Sequence, residues 1–155
     1  MVSWPSGARG TSVRHHGRSR CDDGPMATGS LTVIYRSYLQ CLNERRWNGL
    51  GEFVCEDLSY NKKPLSLADY RALLVADADA IPDLRYEAEV IVAEGDFVAC
   101  RLAFRCTPQA TFLGFEPTGT PVAFAEHVFY HFSDGKISEV WSLIDRDAIA
   151  AQISE

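Results

Sequence analysis

Apolar side chains recur at helical spacing near residue 30. Leu31, Ile34, Tyr35, Tyr38 and Leu42 fall on one face of a 3.6-residue period. Ser30 stands where an N-cap belongs, so a helix is expected over about residues 30–48. A short second helix follows over about 50–55, and residues 58–61 read as a short strand. Ser66-Leu-Ala-Asp69 has the form of a capping box. It opens a third helix through Tyr70, Leu73 and Leu74, which stops before Ile81-Pro82 because proline cannot continue it. From Leu84 the period changes to two. Residues 84–94 alternate and end at the turn signal Gly95-Asp96, and 97–107 form the next strand. Residues 108–120 are a loop with Gly114, Pro117 and Gly119. Residues 122–132 and 136–144 pair across the hairpin turn Asp134-Gly135, and Asp145 caps a last helix over 146–153. No internal repeat is visible.

Helices first and a four-strand meander after predict an α+β fold. A cone-shaped, curved antiparallel sheet carries three N-terminal helices packed on its concave face, and the space between is a natural pocket. The last hairpin can be read for facing. If Asp134-Gly135 is a two-residue turn, Ser133 opposes Lys136. One face then carries Phe124, Glu126, Val128, Tyr130 and Phe132 with Ile137, Glu139, Trp141, Leu143 and Asp145. That set is the bulkier and is assigned to the concave side; a one-residue bulge would reverse one strand's facing. His127 and His131 fall on the convex face, and Arg101 and Arg105 share one face of their strand.

Composition narrows the class. The chain has 155 residues, enough for one domain with a real core. Residues 1–28 lack apolar periodicity and are rich in Gly, Ser and Arg, so they are read as a disordered arm before a domain over 29–155. The arm has no apolar core of a secretory signal. An organelle leader fits its arginines, and translation from Met26 fits equally. The net charge of −6 disfavours nucleic acid as a partner, and no apolar run is long enough to span a membrane. The five cysteines, Cys21, Cys41, Cys55, Cys100 and Cys106, have no CxxC spacing and read as thiols of a reducing, cytoplasmic compartment. Cys41 and Cys55 fall in helix-like segments.

The chemistry on the assigned concave face is two carboxyl groups, Glu126 and its diagonal neighbour Asp145. A carboxyl in an apolar, aromatic pocket has its charged form disfavoured, the condition for acid/base work near neutral pH. The bland reading makes Asp145 only a helix cap. No nucleophile triad, glycine-rich phosphate loop or metal-ligand spacing is present, and nothing calls for a cofactor.

Gly95-Asp-Phe-Val-Ala-Cys-Arg101, Phe112-Leu-Gly-Phe-Glu-Pro-Thr-Gly119, Ser133-Asp-Gly-Lys-Ile-Ser-Glu-Val-Trp141, the following Asp145 and Ile81-Pro82-Asp83-Leu84 together resemble the SnoaL-like polyketide (ester) cyclases of the nuclear transport factor 2 fold superfamily. The likeness covers about residues 31–153. It implies a cone-shaped fold, a homodimer, no cofactor or metal, and ring closure by aldol condensation of a polyketide-like or other apolar carbonyl compound. It also implies that Asp145 matches the family's acid/base aspartate. Glu126, Trp141, Tyr38, Asn61 and Arg101 are the candidate substrate-binding residues. The chain departs from the family at Cys106-Thr107-Pro108, where Gly-Thr-His is frequent, and at Asn61, near a frequent histidine. Two other readings stand beside the cyclase. One is an epoxide-hydrolase-like enzyme using Tyr60, Asn61, Arg101 and Asp145, and the other is a non-catalytic binding or dimerisation module.

Overall fold

The computed structural model describes residues 28–154. The arm expected over residues 1–28 lies outside them except for Thr28, as does Cys21. Helix α1 runs Thr28–Asn43 and is followed by a 3-10 turn over Trp47–Glu52. Strand β1 is Val54–Tyr60, β2 is Lys63–Ser66 and helix α2 is Leu67–Ala80. Strands β3 (Glu87–Glu94), β4 (Phe97–Cys106), β5 (Val122–Ser133) and β6 (Lys136–Ile144) follow, and helix α3 (Arg146–Ile153) ends the chain. No helix among the described residues is long and apolar enough to cross a membrane.

The expected meander β3-β4-β5-β6 forms, within a larger sheet of order β2-β1-β6-β5-β4-β3 that stays open at its ends. β1 lies parallel to β6, and the other pairs are antiparallel. The segment 58–61 is thus the end of a longer strand, and β2 was not foreseen. The two join through Asn61 and Lys62, both at positive φ (47° and 67°), the conformation of a tight two-residue hairpin. Asn61 fixes this corner from the side: its Oδ1 accepts from Ser142 N at 2.8 Å and its Nδ2 donates to Ser142 O at 3.3 Å. The side chain replaces a strand neighbour at the point where β1 ends.

α1 begins two residues before Ser30, so Ser30 lies inside the helix rather than capping it. It ends at Asn43, short of residue 48, because Arg45 takes a left-handed φ of 57°. Its apolar face is as expected: Leu31, Tyr35, Tyr38 and Leu42 are buried, joined by Leu39 and Cys41. α2 is capped by Ser66, whose Oγ accepts from Asp69 N at 3.0 Å. It stops at Ile81, ahead of Pro82. Cys55 lies in β1, not in a helix, because the 3-10 turn ends at Glu52 and Val54 already pairs with Ile137.

One irregularity decides what each face of the sheet carries. Ser133 opposes Lys136 and Phe132 opposes Ile137, as a two-residue turn requires, but His131 then opposes Glu139. Ser138 is the extra residue, and its Oγ donates to His131 O at 3.1 Å. Beyond this bulge Val140 pairs with Tyr130, Trp141 with Phe129 and Ile144 with Glu126. The β5 half of the expected facing is right: Phe124, Glu126, Val128, Tyr130 and Phe132 are buried against the helices. The β6 half is reversed after Ile137. Val140, Ser142 and Ile144 face inward, and Glu139, Trp141, Leu143 and Asp145 face outward, because one inserted residue exchanges the sides of a period-two strand.

The loop after β4 closes one end of the core. Thr107 N is held by the Asp83 carboxylate at 2.8 and 3.1 Å, and Gln109 N donates to Ala80 O at 2.8 Å. A turn through Leu113 and Gly114 then lays Phe112, 3% exposed, against Phe124 at 6.0 Å between ring centroids.

Substituting Ser66→Ala removes the α2 cap. A loss of about 1 kcal/mol of stability is expected, read as a lower urea midpoint with an unchanged slope.

Candidate active site

Along β5 every second residue from Val122 to Phe132 is buried, and the middle of that stripe is a carboxyl group. Glu126 is 2% exposed, and its Oε1 accepts from Ser142 Oγ at 2.5 Å across to β6. Along α2 the buried positions are Leu67, Tyr70, Leu74 and Asp77, a helical stripe in which the last apolar site is again an acid. Asp77 is 2% exposed. Proteins do not bury carboxyl groups without hydrogen bonds or function, since desolvation costs several kcal/mol per charge.

The walls around these two groups are tyrosine. All six tyrosines of the chain, Tyr35, Tyr38, Tyr60, Tyr70, Tyr86 and Tyr130, are buried. The hydroxyls of Tyr38 and Tyr70 lie 2.6 Å apart, and the rings of Tyr35 and Tyr130 pack at 4.9 Å. Burial first, and neighbouring groups after it, pushes every tyrosine hydroxyl above its usual range. The Glu126 charge acts on Tyr35, Tyr60, Tyr70, Tyr86 and Tyr130, and Asp77 acts on Tyr60, Tyr70 and Tyr86. Tyr35, Tyr38, Tyr60, Tyr70 and Tyr130 form one cluster of ring and hydroxyl contacts on the inner side of the sheet, and Tyr86 packs against Phe104 on the same side. The Tyr86 hydroxyl is buried there with no hydrogen-bond partner among the described residues, a state that costs about 1–3 kcal/mol. Its backbone is fixed on both sides by Asn43, at 2.7 Å to the Tyr86 N and 3.0 Å to the Tyr86 O. The pocket expected between helices and sheet is filled by these side chains, and the packed interior holds a buried carboxyl group among O–H donors, groups suited to proton transfer at carbon beside a carbonyl.

Two of the residues singled out from the sequence are buried in this interior, Glu126 and Tyr38. The other four do not. Asp145, expected on the concave side, is exposed on the outer side, and its Oδ1 accepts from Ala148 N at 3.0 Å as the cap of α3. Trp141 also faces out, stacked on Phe97 at 6.4 Å. The Ser138 bulge moves both. Asn61 is held at the exposed β1 corner. Arg101 lies on the outer face with Nε on Glu89 at 2.6 Å and Nη1 beside His127 Nε2 at 2.6 Å. The set Tyr60, Asn61, Arg101 and Asp145 is thus split between the interior, a corner and the outer face.

A hollow of about 340 Å³ on the outer face is lined by Arg101, Ala125, His127, Leu143, Asp145 and Arg146 among others. A second, of about 450 Å³, runs between α1 and β3 and reaches Asn43 and Tyr86. No group of three His, Cys, Asp or Glu side chains that could hold a metal comes together among the described residues. Asp77, Tyr70, Tyr86 and Ser142 escaped the sequence reading. Asp77 had a signal, its place at the end of the stripe Leu67, Tyr70, Leu74. Ser142 had none, because its facing depends on the bulge.

The sequence profile of the SnoaL-like polyketide cyclases matches residues 32–153. Among solved structures, a SnoaL-like polyketide cyclase from Agrobacterium tumefaciens C58 is 44% identical, with 82% of this chain and 98% of that one covered at a TM-score of 0.77. AclR of Streptomyces galilaeus, which carries a provisional assignment as a hydroxylase, is 25% identical over 83% of this chain and 98% of its own, TM-score 0.69. TsrD of Streptomyces laurentii shares the fold at 18% identity, 83% and 97% coverage and TM-score 0.75. No curated protein matches the chain.

The buried tyrosines predict an alkaline limit. Their hydroxyls lie above the usual 10.0 when folded, so the unfolded chain loses these protons first. The stability they contribute is whole below pH 10 and falls as pH rises above it. The slope is about 1.4 kcal/mol per pH unit for each, or roughly 8 for the six, comparable with the whole stability of a domain. Tyrosinate absorbance should stay flat through pH 10 and rise in one step with loss of circular dichroism near about pH 11. A gradual titration centred on 10 in folded protein would contradict the burial.

Proposed function

The chain belongs to the SnoaL-like polyketide cyclase family, and from that premise we propose that it is a cofactor-independent cyclase or isomerase closing a ring in a polyketide-like carbonyl compound, with Glu126 as the acid/base group. The observation that carries this reading is a carboxyl group 2% exposed, bonded to Ser142 and walled by tyrosine. The Glu126 carboxylate takes a proton from carbon beside one carbonyl. The resulting enolate carbon attacks a second carbonyl carbon of the same molecule, forming a C–C bond, and the new alkoxide takes the proton back from Glu126. Atoms and charge balance without a redox partner, and holding both carbons of one molecule close supplies much of the rate. Asp145, capping α3 in solvent, is not assigned this role.

A substrate reaching so buried a group needs a moving part. The loop carrying Phe112 covers Phe124, two residues along β5 from Glu126, and is the element to lift. A second reading, a non-catalytic module, draws on the same filling of the interior by its own side chains.

The reading extends to a homodimer, supported by the outer face of the sheet. There Val92, Ala99, Phe129 and Trp141 stand side by side across four strands. Val90, Val92, Phe97, Phe129 and Leu143 are all exposed, forming an apolar patch of the kind that marks an interface.

Two outcomes are expected. Glu126→Gln should slow ring closure of an aromatic β-ketoester that carries a further side-chain ketone, followed by product absorbance, by about 100-fold or more, while Asp145→Asn keeps activity; the reverse pattern would transfer the role to Asp145. Sedimentation velocity should give a dimer for the parent chain and a monomer for the double substitution Phe129→Glu, Leu143→Lys, and a monomeric parent would remove the assembly proposal.

A further inference from the structure

We infer that the Tyr86 hydroxyl is the hydrogen-bond donor to the substrate's carbonyl oxygen, the atom on which negative charge collects when Glu126 removes the neighbouring proton. The inference rests on the proposed role of Glu126. Its own support is separate. Tyr86 is 3% exposed and its hydroxyl has no partner among the described residues. A phenylalanine would fill the same space against Phe104, whose ring it meets edge-on at 5.6 Å, without leaving a donor stranded. A buried O–H that the protein itself leaves unused is explained if a ligand oxygen completes it. Tyr86 also lies on the inner side of the sheet: its ring meets Phe104, which pairs with Phe124, and Glu126 is two residues along β5 from Phe124.

That placement is built into the backbone. Asn43, the last residue of α1, grips the Tyr86 N–H and C=O together, so the ring enters the interior from a fixed point just ahead of β3. Asn43 is therefore a positioning residue. A donor fixed before reaction stabilises an enolate without reorganising at the moment of proton transfer. The bond balance of the ring closure is unchanged: the Tyr86 hydrogen stays on Tyr86 and is only shared with the enolate oxygen.

The test uses the full chain and the same aromatic β-ketoester, with its binding followed by calorimetry. Tyr86→Phe should lower kcat by about 100-fold, the effect of removing one such donor, with KM little changed. Its urea midpoint should be equal to or above that of the parent, because an unsatisfied group has been removed. Unchanged kcat would overturn the inference and assign the hydroxyl to an ordered water. A lower midpoint accompanying the loss of kcat would overturn it too, since the hydroxyl would then be a structural contact. Glu126→Gln in the same assay separates the two levels. If it is inactive while Tyr86→Phe is fully active, the inference fails and the proposed function stands. If both variants keep activity, the assignment to Glu126 fails and the inference with it; if the parent neither closes nor binds the ester, the proposed function fails as well.

Discussion

The one-residue bulge at Ser138 fixes which side of the sheet every later residue of β6 occupies, and the division of labour between the two faces follows from it. Without the extra residue, Glu139, Trp141 and Leu143 would be forced against the helices and Val140, Ser142 and Ile144 into solvent. With it, Ser142 comes within 2.5 Å of Glu126, and Trp141 joins Phe129 on the outside. Ser133, Ser138 and His131 supply the local bonds that hold the bulge. A short polar cluster next to a tight turn thus decides both the contents of the interior and the character of the outer surface.

The interior is an unusual core in its chemistry. Aromatic packing supplies the apolar area, with roughly 1.5–3 kcal/mol for each large side chain removed from water. That gain offsets the cost of enclosing two carboxyl groups and several hydroxyls. The enclosed polar groups are not scattered. Glu126 comes from the centre of β5, Asp77 from the inward stripe of α2, and the tyrosines from both the helices and the sheet. Stability alone would favour leucine or phenylalanine at several of these places. The convergence of polar groups from separate elements is what separates a site from a merely imperfect core.

Much of this was legible in the sequence. The period of Leu31, Tyr35, Tyr38 and Leu42 announced α1, Ser66 announced α2, and the alternation from Phe124 to Phe132 placed Glu126 inside. These are local signals, carried by spacing alone. What was not legible depends on contacts between distant segments. Nothing near Val54 announces that it will lie parallel to Ile137, and the pair Asn61-Lys62 lacks the glycine that usually marks a two-residue hairpin. The outward facing of Trp141 and Asp145 could not be read, because a bulge adds one residue without changing the hydrophobic pattern on either side of it. The place of Asp77 at the end of an apolar stripe is legible, but an acid there equally reads as the helix returning to solvent.

The facing of Asp145 and Glu126 also bears on how a family resemblance carries over to one chain. Motif matching places Asp145 at the family's acid/base position, whereas the hydrogen bonds make it the cap of α3. That cap is exposed, on the opposite side of the sheet from the buried tyrosines. Glu126 has the opposite surroundings: low polarity, one fixed hydroxyl from Ser142 and a wall of phenols. Proton transfer at carbon is limited by the stability of the enolate as much as by the strength of the base, so the deciding feature is where donors and base face the same space. Among the described residues the inner face of β5 brings a buried carboxyl group and phenols to the same side of the sheet, which is the ground on which Glu126 rather than Asp145 is proposed as the acid/base group.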